Sequence, residues 1–445
     1  MGLFGFFDKK ENDSPAKEDL DKAKEYFDKG EFQESLRALS WGFKKDAGHK
    51  PLYRLAADSL KQLGGYDEQE LFEAVYRDMR NAEGFDVLGS FYFEQQYYDM
   101  AQAFYEKAVE LQPDNEEARH NLAICYARQF EVGKAVEVLK KSDLGDFWNM
   151  YFLNKCKLLD GQLDGVAEAV AGLRAVIDTY PNEEEIEIPR MKIVELEETL
   201  QRYNTVAEAQ THIRDWQYIQ YGGVMLDFFE REDSDDYVAG GRYVASWGSN
   251  ESIKAAAEKL ARLADRLSVS FRDIAALPDR DSEIIGRLLA RQLGIGFCTY
   301  SPESEHEGSL IVAADSSLLM EYQELGTIRN GQIVFSLNHS WLDAAAVTPD
   351  IIGFMTQTYV FPWNGGGFKL TDPEQGTLEE TQPDSRQPEE IAADIFNAES
   401  EEPEADPHLE FYASRRDYLK GIGSEAGSSR YVFMIESPVP GSYFA

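Results

Sequence analysis

Between Ala82 and Asn115 the apolar residues recur at helical intervals in two blocks. Leu88, Gly89 and Tyr92 share one face of the first block. Ala101, Tyr105 and Ala108 share one face of the second, which Pro113 closes. Spacings of three and four predict two helices, not strands. The small residues Gly89, Ala101 and Ala108 let the helices approach closely, and the rings of Phe85, Tyr92 and Tyr105 fill the space beside them. A hairpin of this kind cannot bury its own apolar face, so it requires similar hairpins on either side.

Such neighbours are present. Residues 116–149 keep Leu122, Ala123, Tyr126 and Ala135 in the same register, with Leu139 in place of the second ring. Residues 16–49 keep Ala23, Tyr26, Gly30, Phe32, Ser35 and Leu39. Residues 50–81 are more divergent but helical around the turn Gly64-Gly65-Tyr66. Residues 150–181 keep Ala169, Leu173 and Pro181. On Phe85, Leu88, Gly89, Tyr92, Ala101, Tyr105, Ala108 and Pro113, the central block resembles the tetratricopeptide repeat (TPR) family. The resemblance implies a solenoid of helix pairs at intervals of about 34 residues, whose concave groove holds another chain. The acidic stretch 182–187 precedes an expected helix, Pro189–Tyr203, whose Glu-rich side suits the last, wet face of a solenoid.

The period then changes. Tyr218–Phe229 and Tyr237–Trp247 read as strands, followed by a helix over Ser252–Leu267. Strand Phe271–Leu277, helix Ser282–Leu293 and strands Ile295–Tyr300, Ser309–Ala314 and Gln332–Leu337 come next, and apolar Ile351–Trp363 suggests another. Strands alternating with helices across short connections predict an α/β domain with a mostly parallel or mixed sheet. Between Asp372 and Asp406 there are 13 acidic residues and one basic one, Arg386. Low hydrophobicity with high charge predicts disorder there, apart from a short helix around Ile391–Phe396. A helix over His408–Leu419 and a strand over Tyr431–Ile435 would complete the sheet. The expected organisation is therefore a flexible tail (1–15), a TPR solenoid with capping helix (16–203), an α/β domain (204–370), an acidic disordered insertion or linker (371–406) and a completing helix and strand (407–445).

Charge narrows the partners. The chain of 445 residues has a formal net charge of −37, which repels phosphate backbones and argues against nucleic acid. No apolar run reaches the roughly 20 residues a membrane span needs, so stable membrane insertion is not expected. The start, MGLFGFFDKK, lacks a basic segment and cleavage site, and Phe6 breaks a myristoylation motif. Cys125, Cys156 and Cys298 are widely spaced and form no CxxC, which fits a reducing cytoplasm; the expected source is bacterial. No cofactor and no metal site are expected.

Chemistry is sparse. The TPR resemblance places groove positions at Asp86, Ser90 and Phe93 and at His120, Ile124 and Ala127. The Lys, Asn and Arg with which one TPR subgroup grips a terminal carboxylate are not at these places. A second candidate is the loop Pro278-Asp279-Arg280-Asp281-Ser282, where a strand meets a helix whose first N–H groups could face an anion. Residues 272–317 resemble type I phosphoribosyltransferases, which implies a second phosphate loop around Asp315 and Ser316. That family carries an acidic pair and a Thr/Gly-rich turn there; here only Asp315 remains, so the implied pocket is degenerate. The alternative role for Asp281 or Ser282 is helix capping. His339 with Asp343 is a possible acid–base pair, set against a structural histidine beside Trp341. Asp233, Asp235 and Asp236 lack EF-hand spacing, and Gly240-Gly241 reads as a bulge. No catalytic residue is assigned. The expected function is a protein-binding adaptor with an α/β domain of non-catalytic role. The alternative is an enzyme or sensor for a phosphorylated or nucleotide-like small molecule.

Overall fold

The computed structural model describes residues 14–143, 145–179, 183–206, 212–228, 242–366, 368–372, 377–400, 407–439 and 442–444. The chain divides into two compact units, 1–193 with 436–438, and 194–435 with 439–445.

The first unit is a run of helix pairs. These are α1 (Lys17–Asp28) with α2 (Phe32–Lys45), α3 (Lys50–Leu63) with α4 (Tyr66–Arg77), α5 (Ala82–Glu94) with α6 (Tyr98–Leu111), α7 (Glu116–Arg128) with α8 (Val132–Leu139), and α9 (Phe147–Leu159) with α10 (Val166–Asp178). First helices of three pairs begin with a side-chain cap. Asn81 accepts from the Glu83 N–H, Asn115 from Ala118 and Asp146 from Asn149, each satisfying an N–H that the helix itself leaves open. Gly64 ends α3 in the left-handed region, φ +78°, where a side chain is disfavoured. The rings of Phe43, Tyr53, Phe72 and Phe104 pack together in the core. At the α5–α6 contact, a Cβ on Gly89 would lie 2.9 Å from the Tyr105 ring. The missing side chain is therefore what allows that approach.

Two sequence expectations shift here. The fifth pair begins at Phe147, three residues before the expected Met150, because α8 is only eight residues long. The helix expected from Pro189 starts at Glu183 and runs to Tyr203 as α11, with Pro189 inside it. The division between the units falls within α11.

The second unit is built on a parallel sheet. Its strands are β1 (Val224–Asp227), β2 (Arg242–Trp247), β3 (Asp273–Ala276), β4 (Gly296–Thr299), β5 (Leu310–Asp315), β6 (Ile333–His339), β7 (Ile351–Val360) and β10 (Ser442–Phe444). The order is β10-β2-β7-β6-β5-β3-β4, with β1 also against β7. Every pair in it is parallel. Strands β5 and β6 are buried along nearly their whole length, as expected for a sheet covered on both faces. Helices α13 (Asn250–Arg266) and α14 (Arg280–Leu293) supply the crossovers around β3. A separate antiparallel hairpin joins β8 (Phe368–Asp372) to β9 (Thr377–Glu380).

Three expectations are corrected. Tyr218–Phe229 is not one strand: helix α12 (Ile213–Tyr221) runs through its first part, and β1 follows. Tyr431–Ile435 makes only an isolated bridge between Phe433 and Ala345, and Ser442–Phe444 is the strand that joins the sheet. The helix expected over His408–Leu419 ends at Ala413 as α16 (Pro407–Ala413). Within the acidic stretch, the short helix expected around Ile391–Phe396 is present as α15 (Pro388–Phe396) and buries Ile391, Ala392 and Ile395. Three apolar residues on one face outweigh the surrounding charge. The acidic loop 233–236 and Gly240-Gly241 lie outside the described residues.

Candidate functional site

Two places carry the predicted site residues. The first is the line of first helices in the repeats. Asp86, Ser90 and Phe93 sit on α5, each half-buried. The Asp86 carboxylate accepts from Asn115 Nδ2 at 3.1 Å, and Ser90 Oγ lies 3.0 Å from the Tyr105 hydroxyl. The Phe93 ring meets Tyr98 and Tyr105 edge-on. On α7, His120 Nδ1 lies 2.8 Å from Asn149 Oδ1, and its ring faces Phe152. Ile124 is half-buried, while Ala127 is fully buried and presents no surface. Five of the six predicted positions are thus half-buried on the first helices α5 and α7, while Ala127 presents no surface.

Next to Ala127 lies a cluster that sequence reasoning missed. Glu436 belongs to this unit and is 3% exposed. Its carboxylate lies 2.8 Å from Lys155 Nζ on α9 and 3.7 Å from Arg128 Nε on α7. Burial would raise the Glu436 carboxyl, but Lys155 and Arg128, with a smaller pull from Lys192 on α11, hold it below its ordinary value. The contacting residues lie 281 positions apart in the chain. No local pattern signals such a contact.

The second place is the carboxyl edge of the parallel sheet. From β3 the chain moves outward to β4, and from β5 it moves the other way to β6. The β3–β5 junction is thus a topological switch point, where α/β sheets open a crevice. The loop after β3 carries Asp279–Ser282, and β5 ends at Asp315–Ser316, so the two predicted halves do meet. Ser282 Oγ joins them by accepting from the Ala314 N–H at 2.8 Å, fully buried.

The atoms at this junction are largely committed to protein partners. Asp279 caps α14 by accepting from the Ser282 N–H at 2.8 Å. Arg280 donates to the main-chain carbonyls of Asp384 and Arg386. Asp281 accepts from Trp363 Nε1 at 2.7 Å and Asn364 Nδ2 at 3.0 Å. Asp315 accepts from the Ser317 N–H and hydroxyl and from Asn338 Nδ2 at 2.6 Å, and Asn338 Oδ1 takes the Thr356 hydroxyl at 2.7 Å. This carboxylate–amide–hydroxyl chain crosses β5, β6 and β7. Thr356 had no signal in the sequence, and Asn338 only its place beside His339 at the end of a strand.

His339 ends β6, fully buried. Its Nδ1 lies 2.7 Å from Ser316 Oγ, and its ring stands edge-on to Phe433. Asp343 instead accepts from the Ser340 hydroxyl at 2.7 Å, so the possible His339–Asp343 pair is not formed and the alternative, a structural histidine, holds. Burial lowers the His339 pKa to about 4, against a small upward pull from Asp315. The imidazole is therefore neutral at pH 7 and acts as a core group.

Comparison with known proteins defines the class of the helical unit. Residues 82–115 and 104–139 match two family models, each described as tetratricopeptide repeat. These helix pairs are tetratricopeptide repeats. No curated protein sequence matches the chain. Among solved structures, the chain is similar to YrrB, titled a TPR protein with an unusual peptide-binding site, at 17% identity and TM-score 0.25 over 44% of this chain and 98% of that one. It is similar to MamA at 19% identity and TM-score 0.23, over 41% and 97%. A third is TTC0263, a thermophilic TPR protein of Thermus thermophilus, at 18% identity and TM-score 0.23, over 41% and 98%. Among the described residues, no helix is long and apolar enough to cross a membrane.

Proposed function

We propose that the protein is a cytoplasmic adaptor that holds a segment of a partner protein along the first helices of its tetratricopeptide repeats. The α/β unit is non-catalytic, and at most senses a ligand. The observation that carries this reading is the strip Asp86, Ser90, Phe93, His120 and Ile124, half-buried on two successive first helices. Solenoids of stacked pairs use such concave surfaces for extended chains. The strip mixes an apolar ring with hydrogen-bonding groups, the combination that gives peptide grooves both area and register. No nucleic-acid partner is proposed, since the net charge of −37 opposes it.

The test is capture from a cell lysate with the full chain and with its Phe93→Glu and His120→Ala variants. A protein retained by the wild type and lost from Phe93→Glu supports the adaptor reading. Equal retention by all three, or none by any, overturns it.

A further inference from the structure

We propose that the concave side of the last repeats is a carboxylate-recognition site, made by Arg128, Lys155 and Lys192 and filled by Glu436 of the same chain. The inference rests on the adaptor reading only in taking this face as one that binds extended chain.

The geometry supports it from three sides. Arg128, Lys155 and Lys192 come from α7, α9 and α11, the first helices of two successive pairs and the helix that follows them. They therefore belong to the row that carries His120 and Ile124. The Glu436 carboxylate meets Lys155 at 2.8 Å and Arg128 at 3.7 Å, and it feels Lys192 as a further positive charge. Glu436 and Ser437 are 3% and 4% exposed. A carboxylate removed from water to that degree is costly unless matched by cations. Here the match is supplied by residues spread over three helices.

Charge makes the arrangement selective. The chain carries 81 acidic and 44 basic residues, so most of its surface repels an acidic ligand. Concentrating Arg128 and Lys155 at one spot on this row, with Lys192 on the following helix, creates a local exception. The segment that fits is Glu-Ser-Pro in sequence, short and acidic at its first residue. A partner bearing an acidic residue in an extended stretch meets the same cations, and it binds only by displacing Glu436. The internal segment then acts as a competitor held at high effective concentration. It lowers the apparent affinity for any such partner in proportion to the time it occupies the site.

The probe is a fluorescent peptide with this chain's own residues 433–440, FMIESPVP, titrated into the full-length protein by anisotropy. The wild type is expected to bind it weakly. Glu436→Gln in the full chain, with circular dichroism confirming the fold, is expected to bind at least about tenfold tighter because the competitor is weakened. Adding Lys155→Ala to that variant is expected to abolish the gain. A folded Glu436→Gln variant with no gain overturns the proposal, as does a gain that survives Lys155→Ala. Should Glu436→Gln fail to fold, the charge-swapped pair Glu436→Lys with Lys155→Glu is read by hydrogen exchange. Restored protection of residues 433–439 supports the contact, and its loss overturns it. Failure to capture a partner through Phe93 leaves these outcomes unaffected, so the two readings fail separately.

Discussion

Arg430 and Asp350 form an ion pair in which neither side chain has any exposure. The guanidinium is bidentate, with Nε at 2.9 Å and Nη2 at 2.7 Å from the carboxylate, and it also donates to the carbonyls of Leu325 and Gln332. Asp350 in turn accepts from the Val334 N–H at 2.8 Å. One pair thus fixes the entries to β6 and β7 and the loop before them. Burial pushes the Asp350 carboxyl up, while Arg430 pulls it down.

The first prediction follows from that geometry. Arg430→Met strands a buried carboxylate and is expected to cost about 3–5 kcal/mol in urea unfolding. Arg430→Met with Asp350→Leu removes both charges and is expected to recover much of the loss. A double variant as unstable as the single one would show that shape, not charge pairing, governs the site.

A second prediction concerns pH. The His339 pKa is lowered from 6.5 to about 4 in the fold. As pH falls from 6.5 towards 4, the unfolded chain takes up a proton that the folded chain refuses. Stability from this group is therefore full above pH 6.5 and declines on acidification through that window, by something on the order of 1–3 kcal/mol. His339→Gln should flatten the profile between pH 4 and 6.5. An unchanged slope would mean that another group titrates there.

The helical unit was largely legible in the sequence because its evidence is local. Leu88, Gly89 and Tyr92 meet Ala101, Tyr105 and Ala108 within one hairpin, and the same spacing recurs along the chain. Helix α12 was misread for the opposite reason. Ile213 and the residues from Asp215 to Tyr221 are all buried, so the helix shows almost no solvent-exposed face and its aromatic run imitates a strand. The switch-point loops were found because turn chemistry and strand ends are visible locally. What closes them was not. The Asp315–Asn338–Thr356 chain and the Arg280 contact with Asp384 span 18 to 104 residues. Helix α15 was legible around Ile391–Phe396 despite its acidic setting, and its apolar residues Ile391, Ala392 and Ile395 are the ones it buries. Tyr431–Ile435 has the composition of a strand, yet the backbone of Tyr431 bonds to Thr348 and that of Phe433 to Ala345, outside the sheet.

The third prediction separates the two faces of α5. Gly89→Ala places a Cβ 2.9 Å from the Tyr105 ring and is expected to cost about 1–3 kcal/mol by overpacking. Ser90→Ala removes one partner of the Tyr105 hydroxyl, which keeps Asn121 at 3.1 Å. Its expected cost is no more than about 1 kcal/mol. Thermal unfolding of both variants checks the order, and a larger loss from Ser90→Ala would mean the faces are assigned the wrong way round.

The last prediction concerns the switch point. Three acidic side chains, Asp279, Asp281 and Asp315, stand at its two loops, against Arg280 alone among the six candidate residues. Arg280 is held by the carbonyls of Asp384 and Arg386, and the cap of α14 is occupied by Asp279. A phosphate would have to displace these contacts and overcome like charge, unless a divalent cation bridges the carboxylates. We therefore expect inorganic phosphate and phosphoribosyl pyrophosphate to leave the melting temperature unchanged without magnesium, and to raise it slightly, if at all, with magnesium. Arg280→Ala should release residues 384–386, seen as faster hydrogen exchange there, without changing the response to phosphate. Tight metal-free binding that is lost on Arg280→Ala, or turnover of any phosphorylated compound, would reverse the non-catalytic assignment. In that case Arg280 leaves the carbonyls for the ligand, and the contact with residues 384–386 is the closed state of a working site.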